Sequence, residues 1–151
     1  MVKQAFSVIF PPQVRAISTV CKVSDAYSFN LDADTEHPEY IECSAAWDTG
    51  AVMSVISHKV AERLSLTNMG FANMIHADGT SKVRTFFINL LLPNKIEVQM
   101  LQVMESNLID TDMLIGMDVI GFCDFAITHP KDGTLFSFDT AKSHIIDFTK
   151  D

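Results

Sequence analysis

The amino-acid sequence predicts an all-β fold with one or two short helices, and three observations carry that reading. Apolar and polar residues alternate with a period of two along several stretches, the pattern of strands buried on one face. Two such stretches are separated by Asp78-Gly79, the dipeptide most characteristic of a tight hairpin turn. Helical spacing, by contrast, is scarce. A chain of 151 residues is of single-domain length, so residues 1–151 are expected to form one unit. Its 48% hydrophobic and 20% charged residues exclude the composition of a disordered chain.

Taken in order, strands are expected over residues 4–10 and 14–23. Residues 25–39, acidic and carrying Pro38, read as an exposed loop. Ile41, Cys43, Ala45 and Trp47 alternate with Glu42, Ser44 and Ala46, a half-buried strand that runs straight into Asp48. Ser57 is placed to cap a short helix through Leu64, with Val60 and Leu64 four apart on its buried side. Phe71, Asn73, Ile75 and Ala77 form another alternating run. The return strand, residues 80–92, is rich in β-branched and aromatic residues and stops at Pro93-Asn94. Ile96, Val98 and Met100 give a third strand of the meander. A second short helix is expected over residues 117–121, and further strands over 123–128, 134–138 and 143–148.

Charge and composition narrow the function. Eleven Lys and Arg against nineteen Asp and Glu give a net charge of −8, with no basic cluster of the kind a phosphate backbone demands, so nucleic acid is not an expected partner. No apolar run approaches the roughly 20 residues of a membrane-spanning helix, and no membrane association is expected. The apolar stretch at residues 5–10 is cut off by Pro11-Pro12 with no small-residue cleavage site after it, from which a cytoplasmic location is expected. Cys21, Cys43 and Cys123 are an odd count at wide spacings, neither a zinc motif nor a disulfide framework. The five histidines lack ligand-like partners at short spacing, and Asp110 with Asp112 reads as an acidic loop before a buried strand, so no metal is expected.

The chemistry concentrates in Asp48-Thr49-Gly50-Ala51, at the end of an apolar strand. A carboxylate there faces solvent while its backbone stays fixed. The adjacent hydroxyl can bond across an interface, and glycine lets another backbone approach closely. Alone, the tetrapeptide also reads as an ordinary turn. About sixty-five residues on, Leu114-Ile115-Gly116 places two large aliphatic residues before a glycine and a short helix. With the hairpin at Asp78-Gly79-Thr80 between them, and Ser54-Val55-Ile56-Ser57 and Ala61-Glu62-Arg63-Leu64 after the first motif, the sequence resembles the retropepsin-like aspartic proteases over residues 40–128.

That resemblance implies a closed β-barrel or sandwich of the acid-protease type with a flap hairpin. It also implies an aspartic endopeptidase without a cofactor, acting on peptides or proteins as a homodimer, since one Asp-Thr-Gly supplies half of a two-carboxylate site. Asp48, Thr49 and Gly50 would be the catalytic group. Ala51, the hairpin residues Ala77, Asp78, Gly79 and Thr80, and Ile115 would meet substrate or brace the loop. Residues 1–39 and 129–151 would flank this core, the strand at 143–148 being a candidate for a dimer sheet. Trp47 stands where an aliphatic residue is usual, and Val52-Met53 where retroviral members carry acidic residues, so the chain looks like a non-viral branch. These departures keep a second class open, a dimerising peptide-binding domain that cleaves weakly.

Overall fold

Alternating sequences become a barrel because each strand buries one face against the others. A computed structural model describes residues 4–27 and 38–150 of the chain. Strands β2 (Ser18–Asp25), β3 (Ile41–Trp47), β4 (Val55–Ser57), β6 (Gly79–Leu92), β7 (Ile96–Ser106) and β8 (Met113–Ile115) hydrogen-bond in the order β2-β3-β8-β4-β7-β6. A pairing of β2 with β6, from Lys22↔Leu91 to Asp25↔Ile88, closes the ring into a six-stranded barrel. Val23, Ala45, Ile56, Ile88, Leu90, Val103, Met113 and Ile115 fill it with no exposed surface. Apart from Ala45, each such side chain contributes roughly 1.5–3 kcal/mol of apolar burial.

Strand β6 has two lives. Its later half is buried in the barrel, while residues 79–84 are mostly exposed and pair with β5 (Gly70–His76), from His76↔Gly79 to Gly70↔Thr85. The β5–β6 hairpin therefore extends from the barrel as an arm. Farther along β6 the register with β7 breaks between Ile88 and Leu90. The fully buried Asn89 satisfies the polar groups this break would strand: its Oδ1 accepts from Met100 N at 2.9 Å and its Nδ2 donates to Tyr27 O at 2.8 Å.

A second sheet, ordered β1-β10-β9, joins β1 (Ala5–Phe10), β10 (Thr134–Asp139) and β9 (Asp124–Thr128), all antiparallel. Aromatic rings fasten it to the barrel. Phe6 stacks on Phe138 with centroids 5.2 Å apart, and the Trp47 indole lies 5.0 Å from Phe136 and 5.2 Å from Phe138. Trp47 Nε1 donates to Thr19 Oγ1 at 3.0 Å, which satisfies the indole's one polar group. The large ring before Asp48 is thus the joint between barrel and second sheet.

The structure corrects several expectations. The strand expected over 14–23 begins at Ser18 and runs to Asp25. The loop assigned from residue 25 starts later, and residues 28–37 lie outside those described. The third meander strand continues to Ser106. Residues 143–148 form no strand within the chain, and the adjacent Ile145 and Ile146 do not alternate. Instead His144 N donates to Asp124 Oδ2 at 2.9 Å and its Nε2 lies 3.0 Å from Asp139 Oδ2, while Ile145 and Phe148 stay exposed. Within the single chain the terminal segment is therefore irregular. The two helices form where expected. In α1 (His58–Arg63) Ser57 caps the first turn by accepting from Val60 N at 3.3 Å, and α2 (Met117–Ile120) follows Gly116. Among the described residues no helix is long and apolar enough to cross a membrane.

Glu105 on β7 is buried and held from two sides. Arg84 Nε and Nη2 donate to its two oxygens at 2.7 and 2.6 Å, and His58 Nδ1 lies 2.9 Å from Oε1. Burial alone would raise this carboxyl, but the hydrogen bonds and charges of Arg84 and His58 outweigh it and hold it below its ordinary 4.5. A carboxyl lowered on folding adds stability above its unfolded value and loses that contribution as pH falls through the folded value. Arg84→Met should therefore destabilise the fold at neutral pH, since it leaves a buried carboxylate with His58 alone. Its deficit against wild type should shrink in acid as Glu105 becomes neutral. Thermal unfolding of both proteins at pH 7 and pH 4 checks this; a deficit unchanged between the two would refute it.

Candidate active site

The seven residues 48–54 link β3 to β4, and because β8 lies between those strands the link must pass over its end. Strands β3 and β8 run parallel, with Ala45↔Met113 and Trp47↔Ile115 in register. The carboxyl ends of both strands therefore emerge side by side, Asp48 from one and Gly116 from the other. Asp48 N donates to Ile115 O at 2.9 Å, so the first loop residue continues the ladder before the chain turns.

Beyond that point the loop is drawn onto the α2 corner. Met117 N donates to Ala51 O at 2.8 Å. A Cβ on Gly116 would sit 2.8 Å from the Met53 carbonyl carbon and 2.9 Å from Ala51 O, so a side chain at 116 would push the loop away. This backbone contact is what Leu114-Ile115-Gly116 provides. Within the loop Gly50 N donates to Asp48 Oδ1 at 2.8 Å, which orients the carboxylate and leaves Oδ2 free of that bond. Asp48 and Ala51 are half-buried, and Thr49, Gly50 and Val52 are exposed. The loop is an open surface feature whose carboxylate has a fixed backbone beneath it.

Of the residues expected to act here, Asp48, Thr49, Gly50 and Ala51 occupy one loop. Ile115 adjoins it through its carbonyl only. Its side chain has no exposed surface and belongs to the barrel core. Ala77, Asp78, Gly79 and Thr80 form the exposed tip of the β5–β6 arm. The turn itself lies one residue earlier than Asp78-Gly79 suggests. Ala77 and Asp78 make the two-residue connection, neither with positive φ, and Gly79 opens the return strand at φ +132°. Glycine is needed at 79 for that angle alone, since a Cβ there would meet nothing within 4 Å. Gly79→Val should thus remodel the tip while leaving the barrel intact. We expect turnover on a peptide to fall roughly tenfold or more with melting nearly unchanged, if the tip closes on substrate. Normal turnover would show that it does not.

Two residues of this region were not singled out by sequence reasoning. Ser54 is fully buried at the loop's end, and Asp118 accepts from both its N, at 2.8 Å, and its Oγ, at 2.7 Å. The signal available was an acidic residue two places after Gly116, at the head of a short helix.

The family model of the gag-polyprotein putative aspartyl protease matches residues 41–121, more than half of the chain. The chain belongs to this retropepsin-like aspartic protease family. The matched span runs from the start of β3 past α2, and so contains the 48–54 loop, the β5–β6 arm and Gly116. Among solved structures, the chain is similar to a retropepsin-like aspartic protease from Rickettsia conorii. The two share 14% identity over 90% of this chain and 93% of that one, with a TM-score of 0.56. The EIAV protease complexed with the inhibitor HBY-793 is also similar, at 14% identity over 72% of this chain and 88% of that one and a TM-score of 0.53. At such identities the likeness concerns the fold, which is that of the retropepsin-like proteases. No curated protein sequence matches.

Proposed function

We propose that this family member is a homodimeric aspartic endopeptidase in which Asp48 of two copies activates water against a peptide bond. The observation that carries the proposal is the setting of Asp48, a carboxylate at a strand end, anchored by its own amide to Ile115 O and oriented by the Gly50 amide on an open surface loop. The single chain, read as one domain with its core over 40–128, carries one such loop. Two-fold assembly is the economical source of a second carboxylate.

In this mechanism one carboxylate takes a proton from water as the water attacks the scissile carbonyl. The other, protonated, donates to the carbonyl oxygen, and a proton then passes to the leaving amine. Like charges this close do not both ionise, so the pair shares one proton and titrates with two macroscopic values, the known behaviour of such dyads. Thr49 would bond across the two-fold axis, and Gly50 and Ala51 would offer backbone to an extended peptide. The tip at Ala77, Asp78, Gly79 and Thr80 would close over it as a flap. Water is the nucleophile, and no cofactor takes part.

The exposed Val52, standing in the pair Val52-Met53 where viral relatives hold acidic residues, favours a second reading. In it the dimer binds peptides with little cleavage. A peptide library assayed across pH with wild type beside Asp48→Asn separates the two: cleavage that depends on Asp48 supports the protease, and binding without any cleavage supports the alternative.

A further inference from the structure

The 48–54 loop is held almost entirely by backbone. Asp48 N bonds Ile115 O, Met117 N bonds Ala51 O, and Met104 N donates to Ser54 O at 3.1 Å. Among the described residues, one side chain from outside the loop hydrogen-bonds to it, and that is Asp118. Its Oδ2 accepts from Ser54 N at 2.8 Å, and its Oδ1 accepts from Ser54 Oγ at 2.7 Å and from Val119 N at 3.0 Å.

The chemistry of this cluster is directional. Ser54 has one hydroxyl proton, and it is committed to Asp118. Its oxygen is then an acceptor on the other side, where Gly116 N donates to it at 3.0 Å. A one-way chain results, from the Gly116 amide to the Ser54 hydroxyl to the Asp118 carboxylate. Every donor aimed at Asp118 needs an acceptor, which a carboxylate supplies at both oxygens and an amide supplies at one. Ser54 is fully buried, so without Asp118 both of its donors would be left unpaired away from water. Gly116 is in backbone contact with Ala51 and Met53, so whatever sets the distance between the two loops also sets where Asp48 stands.

We propose that Asp118 is a positioning residue of the site, clamping Ser54 so that the Asp48 loop and the Gly116 corner stay in one register. This rests on the protease reading, because a carboxylate that must meet its twin across a two-fold axis tolerates little displacement. Misplacement by about 1 Å is enough to cost roughly a hundredfold in rate. Asp118 touches no substrate in this role and acts through Ser54.

The test compares wild type, Asp118→Ala and Asp118→Asn in two measurements, kcat and KM on a peptide that wild type cleaves and amide hydrogen exchange followed residue by residue. We expect Asp118→Ala to lower kcat by about tenfold to a hundredfold with KM changed less than about threefold. Exchange should quicken at the Asp48 and Met117 amides, neither of which hydrogen-bonds to Asp118, while amides of β6 and β7 stay protected. Asp118→Asn has nearly the same volume and keeps one acceptor, and it should fall between the two in both measurements. Unchanged exchange at Asp48 and Met117 in a folded variant, or either variant matching wild-type kcat, overturns the clamp and leaves the protease reading standing. If wild type cleaves nothing, the protease reading fails instead, and the exchange arm still decides whether Asp118 holds the loop.

Discussion

Replacing Asp48 by Asn should abolish peptide cleavage, lowering the rate by at least the roughly 10²–10⁴ that a positioned acid or base supplies. The substitution removes proton transfer and little else. Asn keeps the shape and an Oδ1 that can accept from Gly50 N, the one side-chain bond by which Asp48 orients itself. The link from its amide to Ile115 O is main chain and survives. The melting temperature and the dimer should therefore be those of wild type, which separates lost chemistry from lost fold. Cleavage by the variant at the wild-type rate would remove Asp48 from the mechanism.

The second large effect concerns assembly. A separated copy holds one Asp48, so specific activity should fall towards zero on dilution below the dimer dissociation constant. Thr49 is exposed and follows Asp48 directly in the loop. Thr49→Ala should weaken the dimer by about 1–3 kcal/mol, the cost of one lost buried hydrogen bond, and move the dilution midpoint to higher concentration. Residues 143–148 are not a strand within the single chain. Among the described residues, the outer edges of the second sheet belong to β1 and β9, and an unpaired edge invites another chain. Sedimentation and specific activity followed over one dilution series read both effects. A monomer with constant specific activity would contradict them.

Local signals in the sequence were enough for much of this molecule. The alternation from Ile41 to Trp47 marks β3 and its exit into Asp48, and Ser57 marks the cap of α1, because both depend on neighbours within a turn or two. The three-residue strand β4 was not legible as a strand, and β8 was legible only as the buried strand after the acidic loop at Asp110 and Asp112. Such a length is too short to show a period, and their pairing is set by partners far along the chain, as in Trp47↔Ile115. The same holds for Arg84 with Glu105 and for Ser54 with Asp118, whose spacings carry no short-range pattern. The hairpin turn moved by one residue because Gly79 serves the return strand at positive φ and not the turn itself. The strand expected at 143–148 failed on its pattern: apolar residues were present, but Ile145 and Ile146 are adjacent and would face opposite sides of a sheet.

The shared site is tested most directly by mixing wild type with Asp48→Asn under conditions that let subunits exchange. If each site needs Asp48 from two copies, mixed dimers are inactive. At equal amounts and fixed total protein, activity should then fall to about a quarter of the unmixed value, since only pairs of wild-type chains cut. A fall to about a half, in simple proportion to the wild-type fraction, would mean that each copy works alone and would contradict the two-carboxylate site.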